Sequence, residues 1–176
     1  DKVAIGDVNP DFMFGFNNTL SYKNLSLSFM LQGVIGNDVL NQTAMMISGL
    51  YDSKVNIRQK NYEQRWTGEG TSSSQPQAIL GSGRTLVFSD RFVEDGSFLR
   101  LKNLRLSYNL PAGKLNTGMF EFAQIYFNAT NLYTFTNYSG YDPEVSAFGQ
   151  DPARRGVDAG NYPMSRTYTI GLNVRF

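Results

Sequence analysis

The side chains able to do chemistry in this chain are carboxylates and aromatic rings. Asp142 and Glu144 stand two residues apart in "YDPEV". A carboxylate pair suits glycoside hydrolysis or calcium ligation, but with a single proline between them the spacing serves at least as well to order a loop. Just before them, "LYTFTNYSGY" carries Tyr133, Phe135, Tyr138 and Tyr141. Such rings could stack on a sugar, or they could belong to the aromatic belt at a membrane surface. The belt is the reading for Tyr133 and Phe135, while Tyr138 and Tyr141 lie further out and stay open. Tyr138, Tyr141, Asp142 and Glu144, together with the single tryptophan, Trp66, are the candidate loop contacts to a ligand or partner.

What is missing narrows the chemistry further. The 176 residues include no cysteine and no histidine. That removes disulfides, thiolate nucleophiles, imidazole bases and nearly all zinc or haem ligation. A formal net charge of +1 gives no electrostatic footprint for nucleic acid. Glu94-Asp95-Gly96 reads as a turn entering a strand, and Asn128-Ala129-Thr130 as composition within one. No catalytic residue, metal ligand or cofactor is expected.

The elements that position these residues are strands. Five segments alternate with period two, roughly Asp11 to Tyr22, Leu25 to Ile35, Phe98 to Leu110, Glu121 to Tyr133 and Arg166 to Phe176. In the second, Leu25, Leu27, Phe29, Leu31 and Ile35 share a face opposite Ser26, Ser28 and Gln32. The third changes parity between Leu101 and Leu104, which a bulge near Asn103 would reconcile. In the first, Asn18 falls on the apolar face without a reason. Between strands, "DVLNQTAMMISGLY" places Leu40, Ala44 and Ile47 at helical spacing behind Asp38 as a cap, with Met45 and Met46 available to a partner.

The connections between strands alternate strictly: Lys23-Asn24, then about Gly36 to Ser97, then Pro111 to Phe120, then about Thr134 to Ser165. Short turns at one end and long loops at the other, joining strands of about 9–13 residues, are the pattern of an outer-membrane β-barrel. The apolar faces would then meet lipid and the Ser/Thr/Asn/Gly faces would line the interior. Charges agree, provided that Arg105 points inward: Arg166, Arg100 and Lys102 sit at long-loop ends and Arg175 has interior parity. No helix-forming run approaches the roughly 18 apolar residues of a membrane span. Five strands cannot close a barrel, because the smallest have eight. The chain is therefore expected to be the last part of a longer polypeptide.

Several stretches resemble the SusC/RagA group of TonB-dependent outer-membrane transporters. "GDVNPDFMFGFNNTLSYKNLSLSFMLQGVIGNDVLN" is similar to a late barrel hairpin of that family, and "FVEDGSFLRLKNLRLSYNLP" to its most recognisable stretch. "NATNLYTFTNYSGYDPEV" and "YPMSRTYTIGLNVRF" follow in the expected order, whereas "RWTGEGTSSSQPQ" departs from the family pattern. The resemblance implies an all-β fold, the last five antiparallel strands of a 22-stranded transmembrane barrel. Residues 37–96 and 134–164 would be long extracellular loops. Tyr168, Ile170, Leu172, Val174 and Phe176 would form the barrel-closing C-terminal strand, resembling the signal read by the barrel assembly machinery.

By the same resemblance the whole protein would sit in the Gram-negative outer membrane and import glycan or peptide fragments without being an enzyme. Its partners would be a SusD-like lipoprotein, the TonB complex through an N-terminal part absent here, membrane lipid and an oligosaccharide or peptide substrate. A soluble carbohydrate-binding β-sandwich is the alternative, and it requires shorter strands and unsegregated loops. A small hydrolase using Asp142 and Glu144 would require a buried pair with separated pKa values.

Overall fold

The computed structural model describes residues 3–48, 56–72, 74–79, 88–111, 121–144, 146–149, 151 and 154–176. The turn expected at Pro111 to Phe120 lies almost wholly outside them. In chain order the strands are β1 (Phe12–Tyr22), β2 (Leu25–Ile35), β3 (Asp38–Asn41), β4 (Val93–Asp95), β5 (Phe98–Asn109), β6 (Phe122–Thr136), β7 (Val157–Asp158) and β8 (Thr167–Arg175). Two short helices, α1 (Gln42–Ile47) and α2 (Gln59–Glu63), and a 3-10 turn at Asp90–Phe92 complete the described elements. They divide into two compact units.

One unit, residues 9–37, 96–137 and 163–176, is a five-stranded antiparallel sheet in the order β1-β2-β5-β6-β8. Its strands are those the alternation predicts, β2 to the residue and the others with ends shifted by at most one, except for β6, which runs on to Thr136. Because a strand exposes successive side chains to opposite faces, pairing in register builds two unlike surfaces. Leu20, Leu27, Leu106, Phe127 and Ile170 stand opposite one another across the five strands. The next row, Tyr22, Leu25, Tyr108, Ile125 and Leu172, lies on the same face. On the reverse side Thr19, Ser28, Arg105, Asn128 and Thr169 form the matching polar row.

The parity change in β5 is absorbed by the expected bulge. Met30 pairs with Asn103 and Leu31 with Leu101, leaving Lys102 as the extra residue; against β6 the register also shifts here, with Asn131 and Leu132 of β6 standing opposite Lys102. Leu99, Leu101, Leu104 and Leu106 thereby share one face. The Lys102 ammonium donates to Gln32 Oε1 at 2.5 Å. Lys23, in the two-residue turn between β1 and β2, takes a left-handed φ of 53°, which lets so short a connection reverse the chain. Nothing in the structure explains Asn18, which pairs with Phe29 on the apolar face.

The other unit, residues 1–8, 38–95 and 138–162, gathers the two long connections around a small sheet in the order β4-β3-β7. β3 runs antiparallel to β4 and parallel to β7. Three features differ from the sequence reading. Leu40, expected in the helix with Ala44 and Ile47, lies in β3, and α1 begins only at Gln42. The helix is capped by Asn41, whose Oδ1 accepts from Ala44 N at 2.8 Å, because Asp38 is drawn into β3 and its carboxylate accepts from Asp7 N instead. Glu94 belongs to a strand and not to a turn, and its carboxylate is tied to Asn41 and Ser139.

Candidate functional site

Two surfaces offer themselves for recognition, one in each unit. On the polar face of the five-stranded sheet a depression of about 510 Å³ is lined by Asn17, Thr19, Ser28, Asn103, Arg105 and Tyr126, among others. Arg105 points into it, as the strand pattern requires, and its guanidinium lies 4.4 Å from the Tyr126 ring centroid. The ring is seated over Gly171, where a Cβ would overlap it. Thr19 and Ser28 hydroxyls meet at 3.0 Å beside the pair. These groups offer charge and hydrogen bonds; none is a nucleophile with an adjacent base.

The opposite face is exposed and apolar. Leu20 is 57 % accessible, Leu172 62 % and Ile170 80 %. A soluble β-sandwich buries such a face against a second sheet, so this exposure argues against that alternative. Tyr133 and Phe135 lie at the end of β6 nearest the long connections, with ring centroids 4.6 Å apart in edge contact, and both are exposed. Tyr168, Ile170, Leu172 and Val174 follow one another along the apolar side of β8, and Phe176 comes just after it.

In the loop unit a smaller cavity of about 260 Å³ is lined by Asn41, Thr43, Arg58, Ser139, Tyr141 and Asp158, among others. The candidate loop residues part company here. Tyr138 is 6 % exposed and donates its hydroxyl to Asp158 Oδ2 at 2.7 Å. Burial first, and then that carboxylate, push the Tyr138 hydroxyl's pKa well above the ordinary tyrosine range. Asp142 is also buried, and its Oδ1 accepts from Glu144 N at 3.0 Å, an Asx turn that fixes the loop. Tyr141, at 78 % exposure, stands on the rim of the cavity. Glu144 and Trp66 are exposed as well. Of the two methionines, Met45 is buried and Met46 is exposed.

Asn41, Glu94 and Asp158 are what the sequence reading missed. Asn41 donates to Glu94 Oε1 at 3.0 Å and to Ser139 Oγ at 3.3 Å while capping α1. Asp158 accepts from Gly160 N as well as from Tyr138. The local signals were an Asn three residues before the helical Ala44 and an Asp-Ala-Gly turn; their long-range partners leave none. No cluster of metal-ligating side chains occurs among the described residues.

Comparison with known proteins places this geometry. No family model matches the chain. Over its full length it is 39 % identical to TonB-dependent receptor P26 of Formosa agariphila and 36 % identical to receptor P3 of the same organism. It is 27 % identical to TonB-dependent receptor SusC of Bacteroides thetaiotaomicron. The chain spans 18 %, 17 % and 16 % of those three proteins. Among solved structures, the RagAB peptide importer in its 'closed-closed' state superposes on 95 % of the chain with a TM-score of 0.79 at 29 % identity, using 17 % of that protein. The 'open-open' state covers 96 % of the chain with a TM-score of 0.75. These relatives are receptors and importers, not enzymes, and the fractions covered are consistent with a C-terminal segment. With its antiparallel all-β sheet and full-length match, the chain is homologous to part of TonB-dependent receptors, SusC among them, and its fold is similar to part of RagAB.

Proposed function

We propose that this chain forms wall and outer loops of an outer-membrane transporter that imports glycan or peptide fragments under TonB control. The observation that carries the reading is the continuous exposed apolar face of a sheet whose other face is polar. A bilayer accepts that arrangement only as part of a closed barrel, since an open edge would leave backbone groups unsatisfied in lipid. β1, β2, β5, β6 and β8 are then the last five strands of a 22-stranded barrel, with β8 supplying the closing edge. The Lys23-Asn24 turn is periplasmic, and residues 37–96 and 134–164 are extracellular.

A SusD-like lipoprotein is the proposed partner. RagAB is by name a two-component importer of peptides, and the loop unit provides a folded platform on which a surface protein could sit. Tyr141, Glu144 and Trp66 are the accessible contacts on that platform, while Tyr138 and Asp142 hold it in shape from within. The test is to purify the whole receptor from membranes and run it on a gel before and after boiling. A detergent-dependent species whose mobility shifts on heating and which co-purifies with a lipoprotein supports the reading. A species that stays folded in plain buffer and shows no shift overturns it.

A further inference from the structure

Separate stretches of chain meet in the loop unit: residues 1–8, 38–95 and 138–162. The fastenings between them are polar. β3, from the first long connection, runs beside β7, from the second, and Leu40 N donates to Gly156 O at 2.7 Å. Asp38 N donates to Asp7 O at 2.7 Å, and the Asp38 carboxylate accepts from Asp7 N at 2.9 Å, which brings in the stretch ahead of β1. A further fastening is Glu94 of β4, at the end of the first connection. Its Oε1 accepts from Ser139 Oγ at 2.8 Å and from Asn41 Nδ2 at 3.0 Å, and its Oε2 accepts from Ser139 N at 2.8 Å. A carboxylate makes such bonds about twice as strong as neutral partners do. All these contacts lie within the chain, and Val39, Asn41, Tyr138 and Asp158 are buried by it alone. Further protein adds to such burial and does not undo it.

We propose that the two long connections open and close as one cooperative body fastened by Glu94, so that whatever holds one connection orders the other. The physical ground is that the elements of each depend on the other. β7 is two residues long and pairs in its sheet with β3 alone, and a strand pair so short does not persist by itself. Asn41 caps α1 in the first connection and also donates to Ser139 Oγ in the second at 3.3 Å. Thr43, in α1, donates its hydroxyl to Asp158 O at 3.4 Å. Opening either connection therefore breaks the seam between β3 and β7 and strips Glu94 of Ser139. The cost of ordering is shared: once one connection is held, the other has less conformational freedom left to lose. The coupling stands on contacts within the chain and needs no particular cargo or partner.

The experiment is native-state hydrogen exchange, read by mass spectrometry on the whole receptor in detergent, at urea concentrations below those that remove the heat-shifted gel band. The expected wild-type result is that peptides containing β3, β4 and β7 converge on one opening rate as urea rises, ahead of the five long strands. Glu94→Gln, which keeps one acceptor and loses the charge, is expected to speed exchange about tenfold in all three, the size of one charge-assisted hydrogen bond. Because coupling is reciprocal, Ser139→Ala in the second connection speeds exchange in β3 and β4 of the first. Wild-type rates for β3 and β4 that stay independent of β7, or a Glu94→Gln effect confined to β4, overturn the proposal. An acceleration that spreads equally to β1, β2, β5, β6 and β8 also overturns it, since that is a general loss of stability and not coupling of the loops. Should Glu94→Gln lose the heat-shifted band, the wild-type convergence and Ser139→Ala decide the matter.

Discussion

Tyr138 and Tyr141 stand three residues apart in one aromatic run, yet one is interior and the other is among the most exposed side chains described. Sequence could group them but not separate them, because what buries Tyr138 is Asp158, twenty residues further on. Tyr138→Phe removes one hydrogen bond and leaves a buried carboxylate short of a donor. The expected cost is about 1–3 kcal/mol to the loop unit, seen as faster proteolysis of the long loops in the whole receptor. The same bond sets an alkaline limit. With the folded pKa raised above the ordinary value of about 10, the unfolded chain releases the phenolic proton first as pH rises. Stability is then complete below about pH 10 and falls above it, and a proteolysis series across that pH range should show the change in wild type and not in Tyr138→Phe. Asn41 is a second buried hinge of the unit, since it caps α1 and ties Glu94 and Ser139 together.

Strand identity, strand faces and the bulge were legible because the five long strands run for nine residues or more and period two breaks in β5 only where the bulge sits. β3, β4 and β7 were not, since runs of two to four residues carry no measurable period and their pairing joins segments far apart in sequence. For the same reason the helix in this stretch was found while its cap was misassigned. Two predictions belong to the strands. Leu27→Arg, on the apolar face, is expected to cost about 2–4 kcal/mol in a bilayer, whereas Ser26→Arg, one residue away on the polar face, costs far less; urea titration of the refolded receptor in lipid vesicles compares them. Deleting Lys102 removes the bulge and leaves a regular alternation in which Leu99, Leu101, Leu104 and Leu106 still share one face, whereas deleting Ser28 from the unbulged β2 turns either Leu25 and Leu27 or Phe29 and Leu31 to the polar side. The expected outcome is that the heat-shifted gel band survives the first deletion and is lost in the second.

At the level of the molecule, the likeness to TonB-dependent receptors was readable from motif order, and its support comes from matches spanning the full chain to about a sixth of each relative. Substrate and partner were not readable, because these 176 residues span only about a sixth of the relatives' length. The proposed topology is open to a direct check, helped by the absence of native cysteine from this segment. A cysteine placed at Tyr141 is expected to react with an impermeant thiol reagent on intact cells, and one at Asn24 only after the outer membrane is opened. The only charged residues on the five long strands are the cations Arg100, Lys102, Arg105 and Arg175, which bears on how this sheet behaves in changing surroundings. Carboxylate and imidazole are the two side chains whose charge ordinarily changes in weakly acid solution, and neither occurs anywhere along the five strands. Acidification of the medium therefore leaves the positive charge of these five strands as it is.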